Sequence, residues 1–486
     1  MGFLRAFPAA LAVAVLWPAS AGAATIDVDT TSDELNADAD CSLREAVQAA
    51  NTNDPVSGCI AGEGGSKLDT IRLEGEEYGF SLGPADEDDN AGGDLDYTGG
   101  GKLAIKGTDQ DETELESDQT DRVLHATGNA SSLTLQRLSL EAGEVSSYDG
   151  GGGNLMVDEG KLRLIRSRVL SGEAQGAALS FGSGGGVRVV SGRPVLIDRT
   201  LLAGNDARFG GALSLSGEGE LTIKRSEFLG NEAATGASRG GAITTSADQT
   251  TITDTTFADN STESDGGGSA LGGAIYGGDN IVIRRSLFAG NEALGEDLVE
   301  PRGGALALLG ESIKVANSTF FDNTSGYEGG AVHGDVSVSH STFFANEAGA
   351  VGDHVNGGAT VRNSILPGAS IAVDLCGPDV TSKGFNVMTY DDANCGTLDS
   401  DLIAPGDIGF VDPDAPADNG GPTDTLAIEG SSPAKDLIPK GKCKVARGED
   451  QRGFARPKGK RCDAGAFERG AQPKVIESTL QGSTAH

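Results

Sequence analysis

The stretch "LTIKRSEFLGN", Leu221 to Asn231, followed by "GGAI" at Gly240, decides how this chain is read. Its pattern returns as "VLIDRTLLAGN" from Val195, "TTITDTTFADN" from Thr250, "IVIRRSLFAGN" from Ile281, "IKVANSTFFDN" from Ile313 and "VSVSHSTFFAN" from Val336. The glycine phrase returns as "GGAL" at Gly210, "GGAI" at Gly272, "GGAL" at Gly303 and "GGAV" at Gly329, with a looser "GGGV" at Gly184. Aligned on Leu202, Phe228, Phe257, Phe288, Phe320 and Phe343, every copy carries an asparagine three residues later: Asn205, Asn231, Asn260, Asn291, Asn323 and Asn346. Two residues before the aromatic stands Thr200, Ser226, Thr255, Ser286, Ser318 or Ser341, and five before it a β-branched residue. Identity at fixed positions within one chain means that each position meets its own copy in a neighbouring unit.

The units repeat every 23 to 32 residues, with short β-branched runs, glycine bends and no helical period. A unit of that size cannot bury its apolar face alone, but coiling the units stacks like on like at the spacing of adjacent strands. The expected fold is all-β: a single-stranded, right-handed parallel β-helix, a pectate lyase-like solenoid. The phenylalanine and aliphatic columns would form its dry interior and the asparagines an amide ladder at a bend. The glycine pair would supply positive φ. Upstream phrases such as "GKLAIKGTDQ" and "SSLTLQRLSLEAGE", and downstream "ATVRNSIL", extend the coil over 69–395.

The remaining segments are expected to close and export the coil. Residues 1–24 have one arginine, an apolar run and a small-residue end, as in a secretory signal peptide cut near Ala23 or Ala24. No later apolar run approaches the roughly 20 residues that span a bilayer. In the 25–68 segment, "CSLREAVQAAN" from Cys41 places Ser42 and Glu45 as a capping box and Leu43, Ala46, Val47 and Ala50 on one stripe. A helix this short needs a surface, and the open first rung supplies one. Six cysteines allow 15 connectivities; sequence order favours Cys41 with Cys59, Cys376 with Cys395, and Cys443 with Cys462, in an oxidising compartment. The tail, 396–470, is expected to cap or anchor the coil, and 471–486 to lack order. Within 435–474, twelve Lys or Arg face five Asp or Glu, which suits either docking on the acidic coil or an anionic envelope polymer.

Three segments resemble known families. The paired "GGA[ILV]" and "FxxN" phrases resemble the repeat of chlamydial polymorphic outer membrane proteins. The segment "CSLREAVQAAN", with "DTIRLEGEEYGFSL" and "GDLDYTGGGKLAIKG", is similar to the CSLREA domain of secreted bacterial β-helix proteins. The phrases "ADNGGPTDTLAIEGSSPAKDL", "EDQRGFARP" and "CDAGAFE" are similar to a choice-of-anchor tail. The polymorphic proteins end in an outer-membrane barrel, and no stretch after Cys395 is long enough to form one, so transport of that kind is not expected. The resemblances imply a cell-surface or extracellular β-helix protein and fix no activity.

A net charge of −35 argues against nucleic acid or an anionic membrane as partner. The expected role is non-enzymatic: adhesion, envelope association or glycan binding by a monomer with a long repetitive face. The alternative is a polysaccharide lyase or glycoside hydrolase in a groove of the coil. No catalytic residue is assigned, because acidic phrases such as "NTD" or "GHG" do not occur, and Arg193, Arg199, Arg225, Arg284 and Arg285 read as solvent-facing. His333, His340 and His354 would suit a metal or an acid–base pair, although "GGAVHGD" and "GDHVNGG" read more simply as glycine turns with exposed polar residues. The run "ADEDDNAGGDLD" offers Asp86, Asp88, Asp89, Asp94 and Asp96 as candidate calcium ligands without EF-hand spacing.

Overall fold

The computed structural model describes residues 23–83, 88–118, 121–127, 131–145, 151–174, 182–265, 268–295, 300–368, 374–446 and 448–472. Residues 1–22, which hold most of the leader expected over 1–24, Asp86 and residues 473–486 lie outside them.

One rung shows why the repeat folds as it does. Strands Ile243–Thr245, Gln249–Thr253, Thr256–Ala258 and Ser261–Ser264 follow one another. Each pairs in parallel with its counterpart one repeat later, so that Ile243 meets Ile275, Ile252 meets Ile283 and Phe257 meets Phe288. The first two strands of successive rungs form a 21-stranded sheet, the third a 13-stranded sheet and the fourth an 8-stranded sheet. The chain is therefore the parallel β-helix that the repeat implies. Inside it, the Phe228, Phe257, Phe288, Phe320 and Phe343 rings are fully buried and stack with centroids 4.8 to 4.9 Å apart. Burying each is worth roughly 1.5–3 kcal/mol.

Each rung turns at residues in the left-handed region: Asp254 (φ 56°), Asp259 (φ 55°) and Gly240 (φ 61°) in this one. The first bend is occupied in other rungs by Arg199, Arg225, Arg285, Asn317 and His340. A side chain there costs about 1–2 kcal/mol, and the hydroxyl that follows offsets it. Thus Ser286 Oγ donates to Arg284 O, across the bend, and accepts from Thr255 N of the preceding rung. The arginine reading needs a correction: Arg193 and Arg199 are exposed, but Arg225 is clasped by Asp198 at 2.6 Å, and Arg285 by Asp254 at 2.7 Å and Glu449 at 3.2 Å.

At the second bend the asparagines form a continuous chain of amides. Asn205 Nδ2 donates to Asn231 Oδ1 at 2.8 Å, Asn231 to Asn260, Asn260 to Asn291 and Asn291 to Asn323 at 2.9 Å, and Asn323 to Asn346 at 2.7 Å. Each Nδ2 also reaches a carbonyl, and each Oδ1 also accepts a backbone N–H, so every amide is saturated; for Asn231 these partners are Leu202 O and Asn205 N. Asn260→Ala would leave the donors of Asn231 buried without their acceptor. A loss of about 1–3 kcal/mol is expected in urea unfolding, and unchanged stability would show that the ladder is ornamental.

The coil begins earlier and ends later than 69–395. Thr25–Asp27 pairs with Leu68–Arg72 as a first strand, and Leu402–Ile403 pairs with Val387–Met388 as a last one. Strands of three and two residues are too short to show a period. Between the first two strands lies the helix Leu43–Thr52, with both hydrogen bonds of the Ser42/Glu45 capping box. Its Leu43, Ala46, Val47 and Ala50 join Ile26, Ile71 and Tyr97 in the interior, so the helix roofs the first rung. Buried Arg44 bolts it down: its guanidinium donates to Asp33 and to the carbonyls of Gly92, Gly93 and Asp94. The disulfides are Cys41–Cys59, Cys376–Cys395 and Cys443–Cys462, with Cα separations of 4.8, 5.1 and 5.9 Å.

The tail does not simply seal the far end. It runs back along the outside of the 13-stranded sheet, where Thr319 Oγ1 donates to Gln451 at 2.7 Å and Ala466 N to Thr342 at 2.9 Å. Phe410 meets Phe344 edge-on at 5.2 Å. Two of its cations are internal: Arg452 pairs with Asp450 at 2.6 Å and lies on the Phe467 ring, and buried Arg456 faces Glu468 at 3.7 Å. Lys435, Lys440, Lys442, Lys458 and Lys460 remain exposed.

Candidate functional site

Alternation along each strand sends every second side chain out of the coil, and stacking sorts these into columns. The residue after each "GGA[ILV]" stands in register on the wide sheet: Ser214, Thr244, Tyr276, Ala307 and His333, with Ala307 fully covered. Towards the N-terminus the same column continues through Arg188, Met156, His125 and Asp96. A neighbouring column of isolated bridges brings Phe209, Arg239, Leu271 and Arg302 alongside.

In the middle of this face the Arg239 guanidinium lies between two rings, 5.9 Å from the Phe209 centroid and 5.0 Å from that of Tyr276. Tyr276, half-buried, forms one wall of a cleft of about 740 Å3 at the corner between the first two strands of the rung. Thr245, Ser246, Asp248, Asp279 and Asn280 supply polar walls, and Leu309, 55% exposed, an apolar lip. Asn280 Nδ2 donates to Asp248 O and Asp279 accepts from Glu311 N, which fixes both corner loops. The exposed carboxylate of Asp248 faces solvent beside the ring. An aromatic wall beside anchored hydrogen-bonding groups suits a polyhydroxylated ligand.

At the N-terminal end the face carries a different chemistry. Asp96 and His125 sit opposite one another on adjacent strands, and the loop before Asp96 lays Asp88 over the same ring. His125 Nδ1 lies 3.3 Å from Asp88 and 3.5 Å from Asp96, while Nε2 is 3.1 Å from Asp158 on the second rung beyond Asp96. Burial disfavours the charged ring, but the bond to Asp158 and the contact with Asp96 outweigh it and hold the pKa up at about 9. Asp94, 1% exposed, turns to Arg122 at 3.5 Å instead; burial and then the Asp96 charge raise its pKa well above the carboxylate range. Asn90 ties its part of the loop down: Asn90 N donates to Asp96 Oδ2, and Asn90 Nδ2 to Arg44 O of the helix.

The sequence-expected residues thus separate. Of the five aspartates, Asp88 and Asp96 share a site, Asp94 borders it, Asp89 is exposed, and Asp86 lies outside the described residues. The three C-terminal histidines are not brought together, and the expectation of an exposed glycine-turn residue is wrong for His354. His340 is buried beside Asn363 under the tail, its pKa driven well down by burial and then by Arg456 and Arg362. His354 is buried where the ladder ends, with Nε2 2.7 Å from Pro367 O, and burial lowers its pKa to about 4. His333 faces outward near Arg302 and Glu328, its pKa lowered to about 4 by burial and then by Arg302. His125, Asp158 and Tyr276 were missed by sequence reasoning. For Tyr276 a signal existed, since it occupies the outward place directly after "GGAI".

Residues 211–394 match the family model of the right handed beta helix region, a span that holds the Tyr276 cleft but not the Asp88–His125 cluster. No curated protein and no solved structure matches the chain. Among the described residues no helix is long and apolar enough to cross a membrane.

Proposed function

We propose that this is an exported β-helix protein that binds a neutral, repetitive glycan along the outward face of its wide sheet, with the Tyr276 cleft as the principal subsite. The observation that carries this reading is the Tyr276 ring, braced by Arg239 and opening on anchored Asp, Asn, Ser and Thr groups. A neutral ligand fits because Asp248 and Asp279 border the cleft and the chain carries −35 overall, so carboxylates would accept sugar hydroxyls and repel an acidic polymer. Stacked rungs favour a repeating ligand, since successive units present related surfaces at a fixed spacing. Export is supported by the leader-like residues 1–24 and by three disulfides. The CSLREA-like cap, the polymorphic-protein repeat and the anchor-like tail, with its exposed lysines, support display at the cell surface.

Affinity electrophoresis in gels containing a soluble neutral β-glucan, with polygalacturonate as the acidic control, tests the reading. Retardation by the neutral polymer is expected, and Tyr276→Ala should weaken it about tenfold, near the upper worth of one aromatic platform. Equal retardation of Tyr276→Ala, or retardation by polygalacturonate alone, would overturn it. New reducing or unsaturated ends would replace binding by catalysis.

A further inference from the structure

We propose that Asp88, Asp96 and His125 form a binding site for a nitrogen-accepting divalent cation of the zinc class, with Asp158 orienting the imidazole. This site stands apart from the Tyr276 cleft and does not depend on the glycan reading.

The geometry carries the assignment. One oxygen each from Asp88 and Asp96 and one nitrogen of His125 lie within 4.8 Å of one another. Ligands about 2.0–2.1 Å from a tetrahedral Zn2+ stand about 3.3–3.4 Å apart. The distances from His125 Nδ1 to the two carboxylates, 3.3 and 3.5 Å, are of that size. They are long for hydrogen bonds, and Nδ1 makes none although the residue is only 6% exposed. The buried ring thus aims Nδ1 between two carboxylates, where a cation would take the place of the ring proton.

The surroundings point the same way. The contact between Nε2 and Asp158 orients His125 so that Nδ1 is the ligating atom, as outer carboxylates do for metal-bound histidines. Asp88, Asp96 and Asp158 gather around His125, so carboxylates outnumber the ring and a divalent charge would balance them. Asp96 is held by strand pairing and by Asn90 N, and the Asp94 carbonyl by Arg44, so these parts of the cradle are in place before any ion arrives. Calcium wants six to eight oxygens. Two carboxylates and an imidazole instead match the three protein ligands of an open zinc site, the fourth place going to water or to a donor from a bound molecule.

The test is equilibrium dialysis of the full mature chain, stripped with chelator, against ZnCl2, MnCl2 and CaCl2, with metal measured by mass spectrometry. One equivalent of zinc is expected to bind in preference to calcium. His125→Gln should lower zinc affinity at least tenfold, and Asp158→Asn by about 10–100-fold through ring orientation alone. Asp88→Asn serves as the variant that keeps the fold, because that side chain is 75% exposed; it too should lower affinity. Cobalt substitution adds a spectroscopic readout: a visible band of tetrahedral intensity, absent in His125→Gln. No zinc binding, a preference for calcium, or zinc binding unchanged in both Asp88→Asn and His125→Gln would overturn the proposal.

Discussion

A Gly241→Ala chain is expected not to fold. A Cβ at Gly241 would stand 2.2 Å from Gly273 O and 2.3 Å from Ser261 O. Both are backbone oxygens, one in the next rung and one in the adjoining strand, so neither can swing away as a side chain would. Gly211, Gly273, Gly304 and Gly330 meet the same barrier, a carbonyl at 2.0 to 2.3 Å. The second glycine of each pair is therefore required for closeness, whereas the first, such as Gly240 at φ 61°, also needs the left-handed backbone. Gly230→Ala separates the two demands: φ there is 56°, and nothing lies within 4 Å of its Cβ. It should cost about 1–2 kcal/mol, the ordinary strain of a left-handed alanine. Gly241→Ala should exceed about 4 kcal/mol, the range in which a single change becomes exceptional. Urea unfolding and soluble yield of the two variants, side by side, measure the difference. Equal stability would mean that rungs can shift apart at the bend, and the close-approach account would fail.

Val47→Asp is expected to unseat the cap and make the protein associate. Val47 is 0% exposed and packs in the interior shared by the helix and the first rungs. A carboxylate placed there has no partner, and a buried unpaired charge costs on the order of 3–5 kcal/mol. The Cys41–Cys59 bridge would keep the segment tethered, so the expected failure is local: the helix lifts while the distal rungs persist. Lifting it uncovers Ile26, Ile71 and Tyr97 and the backbone edge of the first strand, the kind of surface that pairs end to end. Light scattering after size-exclusion chromatography should show a larger species than the parent forms. A monomeric Val47→Asp of parent stability would remove the roof from the account of this helix.

How much could be read without coordinates varied along the chain for a physical reason. From Val195 to Asn346 each inward position has a stacked copy of itself, so the sequence records every contact several times. Phe257 predicts Phe288, and Asn260 predicts Asn291. Near the N-terminus the phrases are weaker, and the contacts there join unlike residues. Asp96, His125 and Asp158 share a site because three rungs with loops of different length fall into register. No spacing in the sequence announces this. The capped helix was legible, but the burial of its Arg44 against the carbonyls of Gly92, Gly93 and Asp94 was not.

The sequence by itself determined the coil, its interior columns, the glycine bends and the capped helix, because a repeat that stacks on itself writes its neighbours into its own period. Only the tertiary structure decided that the tail runs back along the flank, that His340 and His354 are buried, and that an imidazole meets the acidic loop. Those contacts join segments with no common period, and their partners are chosen by where the folded backbone brings them.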